Sequence, residues 1–212
     1  MPLYRTYRKG DLTVGVWKVD ETVEQLRSMF HHFSIYEEAF SRFSSEKRQQ
    51  EWLAIRVLLK ELCGEEKEIM YHPSGKPYLK DGSACISFSH THGYVAVALH
   101  PFSEVGVDIE QYGTRVQRVA SRFIHKDEMV SIKAGDEVYA LLLHWSAKET
   151  MFKLMEMEEE AVDFIEHLRI VPFQPKESGV FEAYEYRSGR DRKFLLHYDT
   201  HPDFVLIFAC LE

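Results

Sequence analysis

Two acidic side chains, Asp108 and Glu110, are separated by one residue in the segment 105–110, VGVDIE. Apolar residues alternate with the acids, which predicts a β-strand that carries both carboxylates on one face. Two carboxylates at this spacing can hold a hard divalent cation and leave room for water and phosphate oxygens. The same alternation is also typical of an ordinary half-buried strand with a solvated outer face.

A third acidic residue, Glu149, lies in the segment 144–153, HWSAKETMFK. Trp145, Glu149 and Lys153 follow at intervals of four, so a helix places them on one face. A glutamate and a lysine one turn apart usually form a surface ion pair. The tryptophan on the same stripe favours a partly buried wall, where a solvated ion pair has less reason to lie.

Two turns carry groups suited to phosphate binding. Ser89 and His90 end a predicted strand and present a hydroxyl and an imidazole at its tip. Lys76 lies in a Gly-Lys-Pro turn, where little ordering entropy remains to be lost on binding. His90 could equally cap the strand end, or pair with His92 as a transition-metal site, although no second histidine cluster completes such a site.

The elements that must position these residues follow one another in two similar sets. The first set has a strand at 12–19, a capped helix at 22–33, a long helix at 46–62 that Gly64 ends, and strands at 84–89 and 94–99. The second set has a strand at 105–110, helical residues at 115–131, a long helix at 136–155 and strands within 167–171, 180–187, 194–198 and 204–211.

This order predicts an α+β fold with two similar lobes, residues 1–102 and 103–212. Each lobe would be a long helix packed on a small antiparallel sheet, and a pseudo-twofold would relate the two. Arg48 and Arg56 lie on roughly one face of the first long helix. That arrangement suits an anion, and it is also the pattern of a solvated helix face.

Composition excludes several classes of protein. The 212 residues include 26 basic and 34 acidic side chains, for a formal charge of −8, which argues against a broad nucleic-acid-binding surface. Three scattered cysteines form no disulfide framework or zinc motif and indicate a reducing cytoplasm. The longest apolar runs, 139–143 and 204–211, are too short to span a bilayer, so no membrane association is expected.

In their order and spacing, the motifs resemble the 4′-phosphopantetheinyl transferase family in its two-lobed, surfactin-synthetase-activating form. That family has a G-K-P turn, a strand ending in S-H and a G-[IV]-D-[IL]-E strand. A helix with W-S-x-K-E-x-x-x-K follows about forty residues later, and here 41 residues separate Asp108 from Glu149. The resemblance covers roughly residues 45–155.

The resemblance implies a magnesium ion held by Asp108, Glu110 and Glu149. Glu149 would also be a candidate general base for an attacking serine, and Lys153 would stabilise charge on a diphosphate. Coenzyme A would be the co-substrate, and its phosphates would be bound by the following residues: Lys76, Ser89 and His90, with Arg48 and Arg56 at the 3′-phosphate. The run Ser-His-Thr-His at 89–92 departs from the commoner S-H-S form.

The implied reaction moves the 4′-phosphopantetheine arm of coenzyme A onto a serine of an apo acyl or peptidyl carrier protein and releases 3′,5′-ADP. The enzyme would be a magnesium-dependent, cytoplasmic monomer. Two alternatives stay open: a magnesium-dependent phosphohydrolase that acts on a nucleotide-like substrate, and a non-enzymatic interaction module whose motifs only pack a core. The sequence does not distinguish fatty-acid, polyketide and nonribosomal-peptide carriers.

Overall fold

The computed structural model describes residues 3–130, 135–155, 162–187 and 192–211. Its chain divides into two compact units, Met1–Phe102 and Ser103–Glu212. Every strand pair in the described ranges is antiparallel. The protein therefore has a mixed α/β fold built on antiparallel sheets, which confirms the predicted class of fold.

The first unit has a four-stranded sheet, a two-stranded hairpin and one long helix. Its strands are β1 (Leu3–Lys9), β2 (Leu12–Lys18), β3 (Ile69–Tyr71), β4 (Pro77–Leu79), β5 (Cys85–Thr91) and β6 (Tyr94–His100). Its helices are α1 (Val23–Ser28), a 3₁₀ turn at Phe33–Tyr36, α2 (Glu37–Ser41) and the long α3 (Glu46–Cys63). The sheet has the order β1-β2-β6-β5, and β3 pairs with β4.

Local signals in the first unit are mostly borne out. Thr22 caps α1 through a capping box with Gln25, but the helix ends at Ser28 and is shorter than the predicted 22–33. α3 ends at Gly64, whose φ of 76° is left-handed and favours glycine. β1 was not predicted, because its exposed, polar side chains do not alternate and only pairing with β2 makes it a strand.

The second unit places one long helix on a five-stranded sheet. Its strands are β7 (Val105–Gln111), β8 (Leu168–Ile170), β9 (Ser178–Glu185), β10 (Arg192–Thr200) and β11 (Phe204–Cys210), in the order β7-β11-β10-β9-β8. A 3₁₀ helix, Thr114–Arg122, follows β7 and is called the basic helix below, for its arginines. The long helix is α4 (Glu137–Leu154), which packs on β7 and β11.

The prediction of helix over 115–131 is wrong beyond Arg122. The basic helix is 3₁₀ and ends there, residues 123–130 are turns and irregular structure, and residue 131 lies outside the described residues. Val116 and the partly buried Val119, which are three residues apart, both pack on the core, as suits three residues per turn. α4 begins as predicted, because Asp136 Oδ1 accepts hydrogen bonds from Val138 N and Tyr139 N.

Close packing of α4 on β7 depends on Gly106. A Cβ added at this residue would lie 2.6 Å from the carbonyl oxygen of Thr150 and 2.9 Å from Leu154 Cγ. A backbone oxygen in a helix cannot move aside as a flexible side chain can, so only glycine permits this approach. The glycine thereby brings the following strand residues close to the side chains of α4. Among the described helices, none is long and apolar enough to cross a membrane.

Candidate active site

The two acids of β7 point towards α4. Asp108 is paired in the sheet with Ile207, and Glu110 with Val205. Ile207 and Val205 belong to the core that α4 covers, and paired residues of antiparallel strands share a face. The prediction that both carboxylates lie on one side of the strand is therefore confirmed.

Lys153 joins α4 to β7. Its ammonium lies 2.8 Å from Asp108 Oδ1 and also donates to the carbonyl oxygen of Val107 at 2.8 Å. Asp108 is buried, with 4% of its surface exposed. The ion pair of Lys153 thus crosses from helix to strand, to a residue 45 positions away in sequence. The simple picture of an i,i+4 pair with Glu149 on a solvated face does not describe this contact.

Trp145 orients the second acid of the strand. Its indole Nε1 donates to Glu110 Oε1 at 2.8 Å. The ring packs edge-on to Phe123, with centroids 5.3 Å apart, and lies 5.7 Å from Phe164. The expected partly buried wall is therefore present, and it also supplies a hydrogen bond that fixes a carboxylate.

The pKa of Glu149 is affected by burial and by the charges of Asp108, Lys153 and Glu110. Its pKa is raised to about 7, chiefly by burial and next by the charge of Asp108, while Lys153 lowers it and Glu110 raises it. Burial and Asp108 also raise the pKa of Glu110, against the bond from Trp145 and the charge of Lys153. Three carboxylates thus share a partly buried region with excess negative charge.

The carboxylates do not form a ready metal cage. Within the described ranges, no three His, Cys, Asp or Glu side chains converge as a metal site, which also leaves the His90–His92 pair without a third ligand. The donors nevertheless suit magnesium, a hard cation that prefers oxygen. Magnesium usually binds one or two carboxylates, several waters and substrate phosphates, so it does not require a cage made by the protein. The excess negative charge favours such a cation.

In the first unit, the structure brings Arg48 and His90 together. Arg48 Nη1 lies 2.7 Å from His90 Nε2, which must be the acceptor because a guanidinium only donates. Glu51 Oε2 is 3.3 Å from Arg48 Nη1 and 3.3 Å from His90 Nε2. Glu51 was missed in the sequence, although its place one turn after Arg48 on the same helix was a usable signal.

The other predicted phosphate residues differ in their surroundings. Ser89 precedes His90 in β5 and is buried. Lys76 lies between Gly75, whose φ is 90°, and the first residue of β4, and its carbonyl accepts from His72 N at 2.9 Å. Arg56 is only 5% exposed and stacks on Trp52, with its guanidinium carbon 3.3 Å from the ring centroid.

Sequence reasoning also missed a buried ion pair beside Glu149. Lys148 Nζ lies 2.7 Å from Glu128 Oε2, and both side chains are 0% exposed. The available signal was position: Lys148 shares a core-facing stripe with Leu141, His144 and Met151 of α4, which are all buried. A lysine on such a stripe needs buried partners.

Comparison with known proteins agrees with this geometry. A search of curated proteins found no match. A family profile described as the 4′-phosphopantetheinyl transferase superfamily matches residues 104–209. The match spans half of the chain and includes β7 and α4, and with them Asp108, Glu110, Glu149 and Lys153. The chain belongs to the 4′-phosphopantetheinyl transferase superfamily.

Proposed function

We propose that the protein transfers the 4′-phosphopantetheine arm of coenzyme A to a serine of an apo acyl or peptidyl carrier protein and releases 3′,5′-ADP. Membership of the superfamily supports phosphopantetheine transfer in general. The observation that carries the specific proposal is the contact of α4 with β7, where Lys153 meets Asp108. This contact brings the acidic side chains and the ammonium of Lys153 together within the region that the family profile matches.

Glu149 is proposed as the general base. A serine hydroxyl is a weak nucleophile near neutral pH and gains from a base whose pKa lies near the working pH. Burial and neighbouring acids raise the pKa of Glu149 to about 7. Glu149 would accept the serine proton as the serine oxygen bonds to the β-phosphorus, and the bond from that phosphorus to the departing 3′,5′-ADP would break.

Asp108, Glu110 and Glu149 are proposed to hold magnesium, which when bound would offset charge on the diphosphate of coenzyme A. Trp145 holds Glu110 in one orientation through its indole N–H. Lys153 would support the negative charge that develops on the phosphate oxygens. Its ammonium is already fixed by Asp108 and the carbonyl of Val107, so little ordering remains at the moment of reaction.

The first unit is proposed to contribute the coenzyme contacts. Arg48 and His90 form one cationic and polar pair at the end of β5, and Lys76 presents a second cation in a rigid turn. Ser89 and Arg56 remain proposed contacts. For the buried Arg56, phosphate binding requires a path to its guanidinium beside Trp52.

The finer features implied by the resemblance are proposals as well. They are the surfactin-synthetase-activating type, two similar lobes related by a pseudo-twofold, and a monomer that works in the cytoplasm. The carrier is proposed to meet the basic helix, whose Arg115, Arg118 and Arg122 are exposed. A local positive surface is needed because both the chain, at −8, and a typical carrier are acidic.

Intact mass spectrometry tests the proposal directly. The protein is incubated with coenzyme A, magnesium and a panel of apo-carriers, each beside a variant whose acceptor serine is alanine. We expect one carrier to gain the mass of a single phosphopantetheine group and its alanine variant to gain none. Release of phosphate or nucleotide from coenzyme A without any adduct would support the phosphohydrolase. The absence of both products, with no stabilisation by coenzyme A and magnesium, would favour an interaction module.

Two substitutions test the coenzyme contacts. Lys76→Ala and His90→Ala should each weaken coenzyme A binding by about ten- to a hundredfold, because a charged hydrogen bond to phosphate contributes about 1.5–3 kcal/mol. Isothermal titration measures the affinity. Lys80→Ala is the control. Lys80 is an exposed lysine directly after the same hairpin, and its ammonium lies 2.7 Å from Glu68. If all three variants bind coenzyme A as tightly as the wild type does, Lys76 and His90 have purely structural roles.

A further inference from the structure

The ammonium of Lys148 is fully engaged in the interior of the second unit. Its three N–H groups have three acceptors: the carbonyl of Phe123, Glu128 Oε2 at 2.7 Å and the carbonyl of Phe164 at 3.1 Å. An ammonium has three donors and no acceptor, so no further ligand can be bound by it. Lys148 is therefore not a phosphate contact, although it is next to Glu149 in the chain.

Glu128 is engaged in the same way. Its Oε2 accepts from Lys148 and from His125 N at 3.2 Å, and its Oε1 accepts from Ile170 N at 2.7 Å. Both oxygens therefore meet donors. A glutamine in this place would have to turn its NH₂ group towards one of these donors, so the carboxylate form is specifically required.

The pair, called the Lys148–Glu128 hub below, connects five pieces of the unit. They are α4, the end of the basic helix through Phe123, the loop that follows it, the turn before β8 through Phe164, and β8 through Ile170. Phe123 is itself buried and packs against Trp145. The hub thus anchors the end of the basic helix to α4, the helix that carries the proposed base.

Stability alone is a weak reason for such a pair. A buried ion pair can often be replaced by apolar residues of similar volume with little loss of stability, because desolvation offsets the attraction between the charges. Its directional bonds, in contrast, fix the relative positions of the groups they join. Here they join α4, which carries Glu149, to Phe123 at the end of the basic helix, whose arginines are exposed.

We propose that the Lys148–Glu128 hub is a positioning device that holds the basic helix in register with Glu149, and thereby sets how the carrier serine approaches the base. The inference rests on the proposed function for its kinetic part, because it assigns the docking of the carrier to the basic helix. Lys148 and Glu128 act through other residues and touch no substrate. Their loss should affect the carrier protein and spare the coenzyme.

Three variants of the full chain test the hub. Glu128→Gln keeps the volume and sets a donor against a donor. Lys148→Met removes the ammonium. The double variant Glu128→Leu/Lys148→Met removes both charges and so leaves no unpaired charge buried. It therefore keeps the test possible if a single variant fails to fold. Tyr139→Phe is the matched control. It removes a hydrogen bond of α4 that does not involve the basic helix, from the Tyr139 hydroxyl to the carbonyl of His201.

The kinetic readout uses coenzyme A and the apo-carrier that forms an adduct with the wild-type protein. We expect kcat/KM for the carrier to fall by roughly 10²-fold, as for a displacement of about 1 Å at a reacting group, with a raised carrier KM. Coenzyme A affinity should match that of the wild type and of the control. An unchanged carrier KM, or an equal loss of coenzyme A affinity, would overturn the inference.

The physical readout needs no activity. Amide hydrogen exchange in the double variant should be faster in peptides that cover 112–128 and 166–171, and unchanged in β7. Unchanged exchange in those peptides would overturn the inference even if the enzyme is slower. If the wild-type protein modifies no carrier, the proposed function fails, and this exchange measurement still decides whether the hub holds the basic helix.

Discussion

Replacing Glu149 by glutamine should make the metal-free protein more stable while it makes the enzyme slower. The carboxyl group ordinarily titrates near 4.5, and in the folded chain its pKa is raised to about 7, first by burial and then by Asp108. The folded state therefore holds the proton more tightly than the unfolded state. Glutamine keeps the shape of the neutral acid and never ionises.

The sign and size of the effect follow from proton linkage. Below pH 4.5 both states are protonated and the group has no effect on stability. As the pH rises from 4.5 to about 7, the unfolded chain releases its proton first, so wild-type stability falls, and above about 7 the full loss is present. At 1.36 kcal/mol per pH unit the loss is at most about 3 kcal/mol. Because the side chain is only partly buried, water reduces it, and we expect roughly 1–3 kcal/mol.

Thermal unfolding measures this difference. In EDTA at pH 8, Glu149→Gln should unfold roughly 2–12 °C above the wild type, since 1 kcal/mol shifts Tm by about 2–4 °C in a protein of this size. At pH 4.5 the difference should largely vanish. Glu61→Gln, at an exposed glutamate on α3, controls for removal of one negative charge from an acidic chain.

A pH-independent difference between Glu149→Gln and the wild type, or a lower Tm for the variant at pH 8, would refute the reasoning about charge in this region. Added magnesium should stabilise the wild type and reduce the difference in Tm, because a cation offsets the negative charge of Glu149 and Asp108. The variant should also lose about 10²–10⁴-fold in kcat if Glu149 is the base. Full rescue of kcat by excess magnesium would mean that Glu149 is a ligand and not the base.

Two further predictions concern the scaffold and the partner. Gly106→Ala should destabilise the protein by about 1–3 kcal/mol in a denaturant titration, because its Cβ would lie 2.6 Å from the carbonyl oxygen of Thr150. Gly113→Ala, whose Cβ would have no neighbour within 4 Å, should be nearly neutral, and equal losses at both sites would contradict this account. Arg118→Glu with Arg122→Glu should slow carrier association and flatten its salt dependence in stopped-flow kinetics, with coenzyme A affinity unchanged. Salt dependence identical to that of the wild type would remove the basic helix from the interface.

Local patterns were enough to predict most elements and the common face of the two strand acids. Period-two alternation identifies β7, and its side chains must then share a face because successive residues of a strand point to opposite sides. The start of α4 and the end of α3 were also predictable from local sequence. Asp136 and Gly64 act on the unpaired backbone groups that every helix has at its own termini. The predicted helix at 115–131 was too long: the basic helix ends at Arg122, and the next residue, Phe123, is buried in the core.

The partners of the charged side chains were decided only by the tertiary structure. The sequence predicts that Glu149 and Lys153 share a face, but Lys153 bonds to Asp108, 45 residues away, because Gly106 lets strand and helix approach. Arg48 and Arg56 lie on one predicted face, yet one meets His90 and the other is stacked on Trp52. Periodicity reports which way a side chain points within its own element. The partner it meets, and hence its charge and pKa, depends on the packing of elements distant in sequence.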